Sequence, residues 1–307
     1  MPSGSPVPLR DLVTGDPRRS VGDVLEFVDG AADYCSNFGK QWNLFRTVQI
    51  DSLAGSTESR SRFFAETGWA PSELPDRVVL DAGCGAGRFA EIALEAGARV
   101  VAVDLSEAAY ACGRTVARFP SENRLVLRAD LDALPLREGS FDGIYSLGVL
   151  HHTPDPLSTL RGLVRFLAPG GRLAVWIYER PRPDVRWLQP RTWLRSLTAS
   201  WSADSKLRLA TFVTAGCFPL GWSLSWLGRS GERLCHFLPY AARHHLARGN
   251  LARQWTYSVL DTFDWYGPRY EQPQRAEDVM DALRSAGLAA VRRLPARGMA
   301  IVGEAAR

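Results

Sequence analysis

Short apolar runs that stop at a carboxylate or a glycine punctuate the middle third of the chain. Val78, Val79 and Leu80 run into Asp81. Arg99-Val100-Val101-Ala102-Val103 runs into Asp104, and Leu125-Val126-Leu127-Arg128-Ala129 into Asp130. A fourth run, Phe141–Leu147, stops at Gly148. A fifth, residues 173–177, is entered through the turn Pro169-Gly170-Gly171. Runs of this length, rich in Val, Leu and Ile and bounded by turn residues, read as buried strands. Residues 89–96 have helical composition, as do 276–286. Near the end, residues 288–294 and 299–302 flank Pro295-Ala296-Arg297-Gly298 and read as a hairpin.

The flanks of this pattern differ from it. Residues 1–20 are rich in Pro, Gly, Ser and charge and read as loosely ordered, and 21–68 as two or three helices ahead of the core. Residues 179–260 interrupt the strands with a stretch too long to be a plain connection. It holds Trp187, Trp193, Trp201, Trp222, Trp226 and Trp255, and residues 209–228 carry no charge. A span of that length raises the question of a membrane helix. Pro219 in mid-run and the admixed Thr, Ser, Gly and Cys favour buried helices of a cap instead. The expected division is 1–70 tail and lid helices, 71–178 core, 179–260 helical cap insertion, and 261–307 the C-terminal part of the core.

Composition narrows the setting. The chain has 307 residues, enough for a substantial core, and a formal net charge of +4. Lys40 and Lys206 are its two lysines. No basic run with interleaved aromatics appears, which argues against nucleic acid. Cys35, Cys84, Cys112, Cys217 and Cys235 are odd in number and lack a C-x-x-C, so neither a disulfide framework nor a metal site is implied. A reducing cytoplasm is the expected setting. The first residues lack the basic start and apolar core of a secretory signal.

The candidate chemistry begins at Asp81-Ala82-Gly83-Cys84-Gly85-Ala86-Gly87-Arg88-Phe89. A strand that runs into alternating glycines and then a helix lets a ligand approach the backbone, and the helix start suits an anionic group. A dinucleotide fingerprint, G-x-G-x-x-G, would want a third glycine where Arg88 stands. Asp104, at the end of the second strand, can accept hydrogen bonds from both hydroxyls of a ribose.

The D-x-G-x-G-x-G pattern resembles motif I of the class I S-adenosylmethionine (SAM)-dependent methyltransferases. The run from Phe141 through His151-His152-Thr153-Pro154-Asp155-Pro156 is similar to small-molecule members, including those that methylate quinones. The resemblance covers residues 77–178. It implies an α/β fold with a Rossmann-like seven-stranded sheet, order 3-2-1-4-5-7-6 and last strand antiparallel. N-terminal helices and a helical insertion between strands 5 and 6 complete it. It implies SAM as cofactor, held by Asp81, Gly83, Cys84, Gly85, Gly87, Arg88 and Phe89, by Asp104 and Leu105, and by Asp130, Leu131 and Leu147. Asp130 falls where the family holds the adenine amino group. Tyr34-Cys35-Ser36-Asn37-Phe38-Gly39-Lys40-Gln41-Trp42 with Arg46 looks like the aromatic lid over the methionine part, with Tyr34 and Trp42 facing the sulfonium. The D-x-F-D-W-x-x-P-x-Y run from Asp261 to Tyr270, a turn-rich loop, resembles a segment of bacterial methyltransferases of natural-product or surface-sugar biosynthesis.

Methyl transfer to a hydroxyl needs alignment, exclusion of water and a base. Candidates for the base are His152, first in order, then His151, Asp264 and Tyr270. Ligands of open α/β sheets bind past the carboxyl ends of the strands, where the two histidines fall. No Asn-Pro-Pro-Tyr follows the fourth strand, which argues against methylation of nucleobase or glutamine amino groups. The expected activity is O-methylation of a small molecule in natural-product or secondary metabolism. C- or N-methylation of a quinone-like, sugar or lipophilic acceptor, a SAM-binding protein without transfer, and a dinucleotide-dependent dehydrogenase are the alternatives. Neither a metal nor stable membrane insertion is expected, and a homodimer is left open.

Overall fold

The computed structural model describes residues 7–29, 34–180, 190–242 and 250–306. Its centre is one nine-stranded sheet: β1 (Arg19–Val21), β2 (Val24–Glu26), β3 (Val78–Ala82), β4 (Arg99–Asp104), β5 (Arg124–Arg128), β6 (Phe141–Leu147), β7 (Leu167–Ile177), β8 (Ala289–Arg293) and β9 (Met299–Glu304). The spatial order is β1-β2-β5-β4-β3-β6-β7-β9-β8. From β5 to β8 this is the expected 3-2-1-4-5-7-6 order. β9 runs antiparallel to β7, from Arg172↔Glu304 to Ile177↔Met299.

The helices are α1 (Ser36–Leu44), α2 (Arg46–Gln49), α3 (Asp51–Ala54), α4 (Glu58–Thr67), α5 (Arg88–Glu95), α6 (Ala108–Val116), α7 (Pro156–Val164), α8 (Pro190–Thr198), α9 (Ala203–Ser225), α10 (Gly228–Cys235), α11 (Leu251–Tyr266) and α12 (Ala276–Ser285). The parallel strands are covered on both faces, which is why they read as continuous apolar runs. One face packs Leu80, Val101, Leu127 and Ile144 against α7 and α12. The other packs Val79, Val100 and Tyr145 with Phe63 of α4 and Ile92 of α5.

Three expectations need correction. Residues 7–20 are docked rather than loose. Leu9 and Leu12 are buried in the core, and the Arg99 guanidinium donates to the Val7 carbonyl at 2.7 Å. The region read as purely helical contains β2, which extends the sheet in parallel with β5. Three residues give too little periodicity to announce a strand. What fixes this one is burial of Val24 and Leu25, and Glu26 placed 2.6 Å from Arg19 and 3.6 Å from Arg128. The third concerns 261–273, read as a loop. The helix α11 runs on through Tyr266, and the loop begins at Gly267.

The insertion is helical, as expected, but residues 209–228 are not buried throughout. Phe212, Leu220 and Trp226 of α9 and its cap are exposed. Among the described residues no helix is long and apolar enough to cross a membrane. Trp187, His244 and His245 lie outside the described residues.

Candidate active site

Every buried residue of β3 from Val79 to Ala82 drives the strand through the core, and the chain then turns sharply at the glycines. Gly83, Gly85 and Gly87 all have φ in the left-handed region, between 51° and 93°. A Cβ on Gly83 would lie 2.4 Å from the Val149 methyls. On Gly87 it would lie 3.0 Å from Cys112 Sγ, so this glycine lets α5 approach α6 and does not face the ligand space. Gly85 does face it. Its N–H donates to Asp104 Oδ2 at 2.9 Å.

The turn opens on a cavity of about 700 Å³, in the upper part of the range for small-molecule sites, roughly 300–1,000 Å³. Asp104 lies at its edge. The carboxylate is locked by the N–H and hydroxyl of Ser106 at 2.8 and 2.7 Å as well as by Gly85. Burial raises its pKa, while these hydrogen bonds and Arg128 favour the charged form. Asp130 accepts from the Asp132 N–H at 3.0 Å, which stops its side chain at the end of β5. Both carboxylates line the cavity, as do Leu105, Leu131 and Leu147.

Asp81 is placed differently. It lies beneath the turn, fully enclosed, with one carboxylate oxygen lacking a hydrogen-bond partner. Burial pushes its carboxyl up to about 8, and nearby Asp104 adds to this. Asp81 and Gly87 therefore shape the turn from behind, while Gly83, Cys84, Gly85, Arg88 and Phe89 line the cavity.

The opposite wall comes from the residues after β6. His152 lies in a short 3₁₀ turn, Leu150–His152, with its ring 4.9 Å from Phe38. Its Nδ1 is 2.9 Å from the Tyr270 carbonyl oxygen. A carbonyl only accepts, so Nδ1 carries the proton and Nε2 holds a lone pair. Burial lowers the His152 pKa to about 4, so the ring is neutral at physiological pH. Beside it, His151 is wholly buried and does not reach the cavity. It stacks on Tyr178 at 3.8 Å, accepts from the Tyr178 N–H at 3.3 Å, and leaves its Nε2 without a partner.

The other two candidate bases also separate. Asp264, on α11, lines the cavity and accepts from Gln41 Nε2 at 3.1 Å. The Tyr270 side chain does not line it. That ring packs edge-on against Tyr34 at 5.6 Å, and the residue acts through its carbonyl. Tyr34, Cys35, Phe38, Gln41 and Trp42 line the cavity from α1 and its start. The Trp42 indole lies against the glycine turn, its Nε1 3.3 Å from where a Gly85 Cβ would stand. Arg46 points elsewhere, to the Thr115 hydroxyl at 3.4 Å.

Several lining residues escaped the sequence reading. Arg62 and Glu66 on α4 pair at 2.8 Å, and the guanidinium packs 5.5 Å from the Trp176 ring centre and 5.7 Å from that of Phe89. Their i,i+4 spacing on a helix was a readable signal. Arg88 is held by Ser59 and Gln49 at 2.8 and 3.0 Å; burial and Arg62 lower its pKa to about 10, still charged at neutral pH. Tyr257, Asp261 and Trp265 enter from α11, and Arg297 from the loop before β9. Among the described residues no group of three or more His, Cys, Asp or Glu could hold a metal ion.

The donor set fits SAM. The locked Asp104 carboxylate suits a ribose, Asp130 an amino group, the turn an approaching backbone ligand, and the aromatic lid a sulfonium. Residues 80–175 match a family model described as a methyltransferase domain. The ubiquinone biosynthesis O-methyltransferase of Xanthomonas campestris pv. campestris is 37% identical over 105 residues, 33% of this chain and 42% of that protein. An uncharacterized chloroplastic methyltransferase of Arabidopsis thaliana is 34% identical over 120 residues, 36% of this chain and 34% of that one. The chain thus spans less than half the length of these curated relatives. Among solved structures, the 1,6-didemethyltoxoflavin-N1-methyltransferase of Burkholderia thailandensis, with 1,6-didemethyltoxoflavin and S-adenosylhomocysteine bound, is 18% identical. The likeness covers 92% of this chain and 93% of that one with a TM-score of 0.46.

Proposed function

We propose that this chain, whose residues 80–175 match a methyltransferase domain, is a class I SAM-dependent methyltransferase that methylates a hydroxyl of a small, largely apolar acceptor. The observation that carries the reading is the orientation of His152. Its Nδ1–H is committed to the Tyr270 carbonyl, so the free lone pair belongs to Nε2 of a ring that lines the cavity.

Bound SAM supplies a methyl group made electrophilic by a sulfonium. The protein then has to position the acceptor, keep water out and receive a proton. Asp104 would hold the ribose hydroxyls and Asp130 the adenine amino group. Tyr34, Phe38 and Trp42 would close the top and exclude water. On the acceptor side, Trp176, Tyr178 and Trp265 offer flat apolar walls. His152 Nε2 would take the proton as the acceptor oxygen is methylated, with Glu271 favouring the charged ring and Arg195 opposing it. Arg195 and Glu271 are themselves an ion pair that joins the insertion to the loop beside His152. A quinol or phenol of secondary metabolism has the shape and the acidic hydroxyl such a slot suits.

The test is transfer of labelled methyl from SAM to a panel of lipophilic phenols and quinols. The reading expects label at oxygen in the wild type and a large loss in His152→Ala. Label at carbon or nitrogen, with His152→Ala unaffected, would favour transfer by proximity alone and overturn the O-methylation reading.

A further inference from the structure

The helix α9 buries polar residues on one face and exposes aromatic ones on the other. Its inward face carries Lys206, Ala210, Thr214 and Gly221, all buried. Lys206 Nζ is spent on the Gly267 carbonyl at 3.1 Å, and the Thr214 hydroxyl donates to that of Thr262 on α11 at 3.3 Å. Leu207, Leu209 and Ala210 pack inward around Phe263 and Tyr266, yet the outward face is apolar as well. Arg208, Phe212, Ala215, Pro219, Trp222 and Trp226 follow at alternating spacings of four and three, and all are exposed. Such spacing places them on one stripe of a helix. Phe212 is 77% exposed and Trp226 75%. A helix that hides a lysine and shows its tryptophans is built for something outside the fold, since contiguous exposed apolar surface marks an interaction site.

The surroundings of the stripe select among occupants. Arg208 stands at one end. Arg229 and Arg233, both exposed on α10, stand at the other, against one acid on that helix, Glu232. The one acid of α9, Asp204, is paired with Lys40. A twofold contact through this stripe would bring one basic rim against another. An anionic bilayer surface answers both features, because arginines meet the phosphates while Trp and Phe settle at the headgroup boundary. No described helix is long and apolar enough to cross, which leaves a helix lying in the plane of the interface.

We propose that α9 and α10 form a peripheral docking face for anionic phospholipid membranes, with Phe212, Trp222 and Trp226 inserted and Arg208, Arg229 and Arg233 on the headgroups. The inference goes beyond the transferase reading and stands without it, since no residue of α9 lines the cavity.

Vesicle flotation of the full chain, with no cofactor present, tests it. Vesicles of phosphatidylcholine are compared with an equal mixture of phosphatidylcholine and phosphatidylglycerol. The proposal expects binding to the mixed vesicles, weakened about tenfold or more by Phe212→Ser with Trp226→Ser. Arg229→Glu with Arg233→Glu should weaken it as well, and high salt should reverse it. Both double variants alter exposed side chains and should keep the wild-type thermal midpoint and affinity for S-adenosylhomocysteine. Failure of the wild type to float with mixed vesicles overturns the proposal. So does equal binding to both vesicle types that survives the charge reversal. Dimerisation of the wild type that Trp226→Ser abolishes, measured by sedimentation, would also overturn it by assigning the stripe to a second copy.

Discussion

The ring of His152 and the carbonyl of Tyr270, 118 residues apart in the chain, are joined by a 2.9 Å hydrogen bond. That bond sets the tautomer of the one histidine among the described residues that opens on the cavity, and ties the loop after α11 to the turn after β6. The same loop returns a second tie, from the Gln272 N–H to the His151 carbonyl at 2.8 Å. The loop after α11 and the turn after β6 are thus joined beside the cavity.

If His152 receives the acceptor proton, His152→Ala should lower kcat by about 10²–10⁴-fold and leave affinity for S-adenosylhomocysteine near wild type. Steady-state kinetics with calorimetry checks both. A fall in affinity with unchanged kcat would make the ring a packing element for the cofactor.

The pH profile gives an independent reading of the same residue. The base form of His152 must be neutral, and burial holds its pKa at about 4. Activity should therefore persist as pH falls through 6.5 and be lost only as it approaches 4. An acidic limb of kcat/KM near 6.5 would point to a histidine that is not buried in this way.

Asp81 should make the cofactor-free protein sensitive to pH in a different window. Its carboxyl is raised to about 8 in the folded protein from an ordinary 3.8. The folded state then binds more protons than the unfolded state between those values. This contribution to stability is complete below pH 3.8 and is lost as pH rises toward 8. Denaturant titrations should show Asp81→Asn with a flatter pH dependence over that window. Identical slopes for the two proteins would contradict the assignment.

The turn itself can be probed by sterics. Gly83→Ala places a Cβ 2.4 Å from the Val149 methyls. Overpacking should cost about 1–3 kcal/mol and the left-handed φ about 1–2 more. Adding Val149→Ala should recover only part of the first cost, since the Cβ at 149 still stands 2.9 Å away. Urea melts of the two variants separate the terms, and full recovery would show that φ carries no strain there.

The legible parts of the sequence were those where local chemistry and global fold agree. Residues 78–104 show this: continuous apolar runs demand strands buried on both faces, and alternating glycines demand a turn that only they can make. Asp104 and Asp130 were readable because strand ends are marked by the residue that stops the run. His152 ranked ahead of His151, but that His151 turns away from the cavity was not legible, because adjacent residues in a tight turn point to different sides and nothing local says which. Arg62, Glu66 and Asp261 were missed because their role comes from where α4 and α11 pack. The face of α9 was misread for a related reason: its uncharged run suggested burial, while the buried side is chosen by Lys206 and Thr214 meeting Gly267 and Thr262.

The most direct test of the account is calorimetric titration of the purified chain with S-adenosylhomocysteine, repeated with Asp104→Ala and in competition with NAD. The account predicts saturable binding by the wild type, a loss of about 1.5–3 kcal/mol in the variant as charged hydrogen bonds disappear, and no displacement by NAD. Absence of binding by the wild type, equal affinity in the variant, or displacement by NAD would contradict it.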